Sequence, residues 1–362
     1  MAILAALVGL LLIVVSLFDG FDTIVSPRRV NRPVRLTRVF YRATWSPWRA
    51  IARRIRKKGR RETMLSYFGP LSLLLLLLVW AVNLIIGFGL LFWALGSPLT
   101  TSFGPSTFGV DLYLSGATFT TLGLGDVTPH TAAARALMVA EGGMGLGFLA
   151  LVLSYLPPLN TEFAEREVNV SLLDERAGSP PTALELLRRN CTEDGMEGVD
   201  AFLREWERWS AELMESHLSY PVLAYFRSQH ENQSWVAALT MVLDLCALVL
   251  VGVDGVPEGP ARLTFAMARH VGADLSQVFK TPPRMPELDR LPPADLARLR
   301  AELAEAGAAL RAGPAADARL AELRRMYEPY VNALAAYLVM ELPPWIPPAN
   351  VHDNWQVTAW EL

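Results

Sequence analysis

Residues 120–129 read Thr-Thr-Leu-Gly-Leu-Gly-Asp-Val-Thr-Pro, TTLGLGDVTP. Two glycines alternate with two leucines, and apolar runs lie on both sides: LLLLLLVWAVNLIIGFGLLFWAL before and ALMVAEGGMGLGFLALVLSYL after. Glycine takes positive φ at no steric cost, whereas leucine does not. The alternation therefore allows successive peptide carbonyls to point to one side of an extended strand. Irregular backbone at membrane depth is tolerated where protein buries it or where it lines a wet cavity.

Working outward, residues 111–120, DLYLSGATFT, are long enough for a short helix and too short to cross a bilayer. The chain is thus expected to leave one apolar span, dip in as a short helix, return through 121–125 and enter the next span. Four such strands about an axis would stack rings of carbonyl oxygens, with the Thr121 hydroxyls at the inner end. Rings of this kind replace the hydration shell of a monovalent cation.

Thr121-Leu122-Gly123-Leu124-Gly125-Asp126 resembles the T-x-G-[Y/F/L]-G-D selectivity filter of potassium channels. The order of span, pore helix, filter and span from Leu71 to Tyr155 is similar to the two-helix pore module of the prokaryotic potassium-channel family. The resemblance implies K+ held at Thr121, Leu122, Gly123 and Leu124, an outer mouth at Asp126, and a homotetramer, since one chain supplies one filter. It also implies an inner-helix hinge or gate at Gly145, with Gly143 and Glu141 as further candidates. The sequence departs from the family in two ways. Leu124 stands where tyrosine is common, and Ala117 stands where a pore-helix carboxylate is often found; Tyr113 and Leu114 stand near the usual aromatic pair. Gly143 and Gly147 have a second reading as close helix-packing positions. Glu141 is expected either to face the cavity or to bond the pore helix through Thr118 or Thr120, since a buried carboxyl needs a partner.

The remaining sequence sets the frame. The chain has 362 residues, 52% of them hydrophobic, and a net charge of −3. Residues 1–18 are uncharged and apolar, with the length of a span; no charge precedes the run and no A-x-A-like site follows it, so a retained helix is expected rather than a cleaved signal. Fourteen of the 33 Lys and Arg residues lie between Arg28 and Arg61. The positive-inside rule places that loop in the cytoplasm and the N-terminus outside, in the inner, or plasma, membrane. Within the loop, Trp45, Trp48, Ile51 and Ile55 recur at helical spacing among cations. An interfacial helix touching anionic lipid through Arg49, Arg53, Arg54, Arg56, Lys57 and Lys58 is one reading, and charges that only fix topology are the other.

The expected class is an all-α membrane protein. Its parts are an N-terminal transmembrane helix (1–18), a basic cytoplasmic loop with an interfacial helix (19–70), the pore module (71–156) and a cytoplasmic helical domain (157–362). In the last part Thr182 is placed to cap a helix over ALELLRRN, and residues 199–215 and 316–341 have apolar stripes. Residues 235–253 are long enough to span, but Asp244 at their centre would cost about 2.5–3.5 kcal/mol in lipid, which favours a buried core helix. Cys191 and Cys246 suit neither a disulfide scaffold nor a zinc site. The histidines His130, His217, His230, His270 and His352 form no metal spacing. No catalytic constellation is evident, no cofactor beyond the permeant K+ is expected, and nothing suggests nucleic acid. The rival readings are a weakly selective cation channel, because of Leu124, and a membrane receptor or scaffold with a vestigial pore.

Overall fold

The computed structural model describes residues 1–25, 35–101, 107–191, 196–229 and 232–347. Arg28, Arg29, Arg32, His230 and His352 lie outside the described residues. The chain forms two compact units that do not follow the expected boundaries. One comprises Met1–Ala50 with Tyr67–Thr161, and the other Ile51–Ser66 with Glu162–Leu362. The basic loop is thus divided: its second half belongs with the C-terminal residues.

In the first unit, α1 (Ala2–Gly20) continues through a π-turn at Phe21–Val25. The helices α2 (Leu36–Arg54) and α3 (Lys58–Leu95) follow. α3 is a single 38-residue helix that starts in the basic segment and carries Pro70 within it. A Cβ added to Gly9 would lie 2.6 Å from the Gly87 carbonyl oxygen, so α1 and α3 cross with their backbones in contact. At the other end of α1 the buried Asp19 accepts hydrogen bonds from the Thr37 amide and the Trp80 indole, both at 3.0 Å. One carboxylate therefore ties α1, α2 and α3 together.

The tryptophans of the basic segment sit on protein. The Trp45 ring lies 4.7 Å from that of Phe68 and is buried, and Trp48 contacts the same ring at 5.7 Å. Their expected place on a lipid-facing stripe gives way because α3 offers an aromatic partner, whereas Ile51 remains exposed.

Past α3, β1 (Leu99–Thr101) pairs antiparallel with β2 (Val127–Pro129), so that Thr100 faces Thr128. Between them runs α4 (Phe108–Phe119), and after them α5 (Ala132–Ala177), 46 residues long and unbroken through Pro157 and Pro158. Ile13, Leu84, Phe88, Phe92, Leu114 and Phe119 form the main apolar cluster of this unit.

The second unit is helical: α6 (Ala183–Asn190), α7 (Glu197–Ser219), α8 (Trp235–Gly252), α9 (Glu258–Phe279), α10 (Pro293–Glu305) and α11 (Pro314–Leu338). Thr182 caps α6 as expected, accepting the Glu185 amide at 3.2 Å. Among the described residues, four helices have the length and apolarity to cross a membrane: Ala2–Val25, counting the π-turn, α3, α5 and α8. α8 differs from the others in being buried on nearly every residue by its own unit. Asp244, at its middle, meets Arg290 at 2.7 Å and the Tyr327 hydroxyl, and Arg290 reaches Glu328 at 3.0 Å. Burial alone would lower the Arg290 pKa, but the Asp244 carboxylate beside it raises it overall, so the guanidinium stays charged. Its packing and paired carboxylate make α8 the core helix of this unit.

Candidate functional site: a pore helix and its return strand

α4 begins without a side-chain cap at Thr107 and carries Asp111 in its first turn, where a carboxylate suits the positive end of the helix dipole. Its far end is closed chiefly by backbone. The Thr121 amide donates to the Thr118 carbonyl at 3.0 Å, and the Leu122 amide donates to the Ala117 carbonyl at 2.9 Å. Thr121 has φ +58°. These two bonds about a left-handed residue form a Schellman cap, a position that usually belongs to glycine. Threonine there costs about 1–2 kcal/mol of backbone strain. The return strand thus starts as the cap of the pore helix.

The alternation seen in the sequence is present in the backbone. Thr121, Gly123 and Gly125 have φ of +58°, +56° and +75°, and the intervening leucines do not share this handedness. Alternate residues of opposite handedness turn successive carbonyls toward the same side. The Leu122 and Leu124 side chains are exposed in the single chain. A Cβ on Gly123 or Gly125 would meet no atom within 4 Å, so backbone conformation and not space demands glycine at both positions.

Behind the strand lies a small cavity lined by Tyr113, Ala117, Thr118, Gly123, Asp126 and Met138. The Tyr113 hydroxyl donates to Asp126 Oδ2 at 2.8 Å, tying the end of the strand to α4. Asp126 is therefore a tethered group. Beside the β1–β2 pair, Ser97 accepts from the Thr131 hydroxyl at 3.0 Å, and the His130 amide donates to the Pro98 carbonyl at 3.1 Å. With the β1–β2 pair, these bonds fix both ends of the loop that carries α4.

Glu141 is fully buried on α5 and bonds the pore helix, but through Ser115 rather than Thr118 or Thr120. Ser115 Oγ is 2.5 Å from Glu141 Oε1 and 2.8 Å from the Ile85 carbonyl oxygen, which joins α3, α4 and α5 at one point. Thr120 instead bonds back to the Gly116 carbonyl, and Thr118 Oγ1 has no hydrogen-bond partner among the described residues. Helical geometry decides this: Ser115 falls on the buried stripe of α4, whereas Thr120 lies past its last turn.

The inner-helix glycines also separate. A Cβ on Gly145 would lie 2.0 Å from the Phe119 carbonyl oxygen. Gly143 and Gly147, the pair read as packing positions, have nothing within 4 Å. Close approach therefore occurs at Gly145, and α5 is continuous through it. Among the described residues no group of His, Cys, Asp and Glu side chains is placed to hold a metal.

A short helix re-enters between two long apolar helices and is capped by a strand of alternating handedness. This arrangement defines an all-α membrane protein with a channel pore module. Residues 75–158 match the family described as "Ion channel", which is the stretch from the second apolar helix through the inner helix. These residues are similar to an ion-channel domain and resemble the pore module of prokaryotic potassium channels. Over 248 residues, 68% of this chain, the sequence is similar to the "Uncharacterized membrane protein YdjJ" of Bacillus subtilis (strain 168), with 24% identity and 69% of that protein covered. No solved structure matches the chain.

Proposed function

We propose that the chain is the subunit of a homotetrameric, potassium-selective channel that conducts passively through main-chain carbonyls of Thr121, Leu122, Gly123, Leu124 and Gly125. The observation that carries this reading is the alternating handedness at Thr121, Gly123 and Gly125, beginning at the capped end of α4. Four such strands would give oxygen rings that take over K+ hydration. Closure of those rings requires cyclic symmetry. Asp126 would gather cations at the mouth, α5 would line the cavity and carry the gate, and the second unit would bias it.

In this reading the N-terminus is outside the plasma membrane, and the basic segment and second unit are cytoplasmic. Of the cations assigned to anionic lipid, Arg53 bonds the Ala336 carbonyl and Lys58 bonds Glu341. Contact with lipid headgroups then falls to Arg54, Arg56 and Lys57. A weakly selective cation pore is the second reading, favoured by Leu124, which brings no hydroxyl to brace the strand.

The test is rubidium uptake into liposomes holding the purified full chain, competed by potassium, sodium and barium, with the mass of the assembly measured in detergent. Uptake blocked by potassium and barium but not sodium, from a four-subunit particle, is expected. Uptake competed equally by sodium would favour the weakly selective pore, and absence of uptake would favour the receptor or scaffold reading.

A further inference from the structure

The residues just before the second apolar span belong to the C-terminal unit, and charge holds them there. Lys58 Nζ lies 2.8 Å from Glu341 Oε2, and Arg61 Nη2 lies 3.0 Å from Glu341 Oε1. Lys58 also donates to Asn232 Oδ1 at 2.7 Å. Glu62 lies 3.6 Å from Arg227, which donates to the Leu338 and Val339 carbonyls at 2.5 and 3.1 Å. Arg53 donates to the Ala336 carbonyl at 2.6 Å. Cations of the basic segment and of the C-terminal unit thus converge on the last turn of α11. Its carbonyls lack helical partners there, and the helix dipole is negative.

The contacts differ in exposure. Arg227 is buried to 8% exposure, and that burial, opposed by Glu62 and assisted by Arg61, brings its pKa down to about 10, still charged at neutral pH. The Lys58 and Glu341 side chains are 46% and 63% exposed. Exposed pairs weaken as salt shortens the Debye length, from about 10 Å at 0.1 M to about 3 Å at 1 M, whereas buried pairs weaken far less. The cluster therefore has a salt-resistant anchor at Arg227 and a salt-labile fastening at Glu341.

We propose that Glu341 with Lys58 and Arg61 is an ionic-strength-sensitive latch, which holds the first turn of α3 to the end of α11 in dilute solution and releases it as salt rises. Lys58 and the second span lie on the same unbroken helix, so release at Lys58 changes the restraint on an outer helix of the pore domain. The effect on conduction rests on the channel reading above; the latch itself does not.

The full chain in liposomes is assayed for rubidium uptake at a fixed rubidium gradient. N-methylglucamine chloride raises the ionic strength on both sides from about 0.05 to about 0.5 M, which shortens the Debye length roughly threefold. Wild-type uptake should change about fivefold, the lower end of what a coupling between two sites delivers. Glu341→Gln should hold uptake at the wild-type high-salt level throughout, and the Lys58→Gln/Arg61→Gln double variant should do the same. Hydrogen exchange is the readout independent of conduction: amides of residues 58–66 should be protected in the wild type at low salt only, and in Glu341→Gln at neither salt. A wild type whose uptake ignores salt, or a Glu341→Gln chain that keeps the wild-type dependence, overturns the coupling. Salt-invariant protection of residues 58–66 overturns the latch itself. If no chain conducts, the exchange pattern still decides the latch, and the missing uptake counts against the channel reading alone.

Discussion

The α-carbon of Gly145 faces the carbonyl oxygen of Phe119 so closely that a methyl group between them would stand 2.0 Å from that oxygen. The obstacle is backbone at the end of the pore helix, which cannot rotate aside as a side chain can. Gly145→Ala must therefore displace either α4 or α5, and overpacking of this kind costs typically about 1–3 kcal/mol. Rubidium uptake should fall at least tenfold, and the detergent-extracted assembly should melt at lower temperature. Gly147→Ala, with open space around it, should leave both unchanged.

Gly123→Ala separates conformation from packing. The added methyl meets nothing within 4 Å, yet φ is +56°, so the variant resists the native backbone by about 1–2 kcal/mol. The expected result is a chain that assembles and melts like the wild type while selective uptake is lost. Unchanged potassium-competed uptake would remove the filter assignment.

The Tyr113–Asp126 bond should matter more for conduction than for folding. It is exposed, and solvent screening leaves such a bond little weight in folding stability. Tyr113→Phe is expected to leave the melting temperature within a few degrees of wild type and to weaken discrimination of potassium from sodium in the uptake assay.

In the second unit, Arg290 is the partner of Asp244 and of Glu328, both buried. Its removal leaves Asp244 buried without a cation, whereas Glu328 keeps Arg324 at 3.1 Å, and stranding one buried carboxylate costs about 3–5 kcal/mol. Arg290→Ala should therefore unfold this unit at markedly lower urea concentration. Tryptophan fluorescence would follow the change, because the Trp345 ring lies 5.6 Å from the Arg290 guanidinium.

His217 gives the unit a definite pH response. Burial, and then the Arg166 charge, hold its pKa well below the ordinary value of 6.5, so the folded chain keeps it neutral. The unfolded chain binds a proton below about pH 6.5 that the folded chain refuses, so stability is full above that pH and falls as pH drops. The slope approaches about 1.4 kcal/mol per pH unit for one proton. Thermal melts between about pH 7.5 and 5.5, which bracket the unfolded pKa, should show the decline in the wild type and a shallower one in His217→Gln.

Much of this was legible in the sequence, for identifiable reasons. The alternating handedness of the return strand could be read because glycine takes the required φ at no cost, so Gly123 and Gly125 announce a conformation. The third left-handed residue, Thr121, could not be read that way: it is imposed by the cap of α4 and carries no glycine. Thr182 announced a helix start because its hydroxyl satisfies an amide three residues on. The Glu141 partner was missed because Ser115 looks like any small residue in an apolar helix until its face is known. The division of the basic segment between two units was not visible either. Cationic helices on lipid and cationic helices against a carbonyl-rich helix end have the same composition, and Glu341 lies 283 residues from Lys58.

One consequence of α8 concerns how the protein is made. Its mean hydropathy of 2.2 exceeds the 1.9 of α5, so insertion machinery meets a segment as greasy as a true span. Arg290, the partner of Asp244 in the folded unit, lies 46 residues further along the chain. An unpaired carboxylate at a helix centre disfavours lateral transfer into lipid by about 2.5–3.5 kcal/mol. The residue that anchors the folded core is thus also one that opposes transfer of its own helix into lipid.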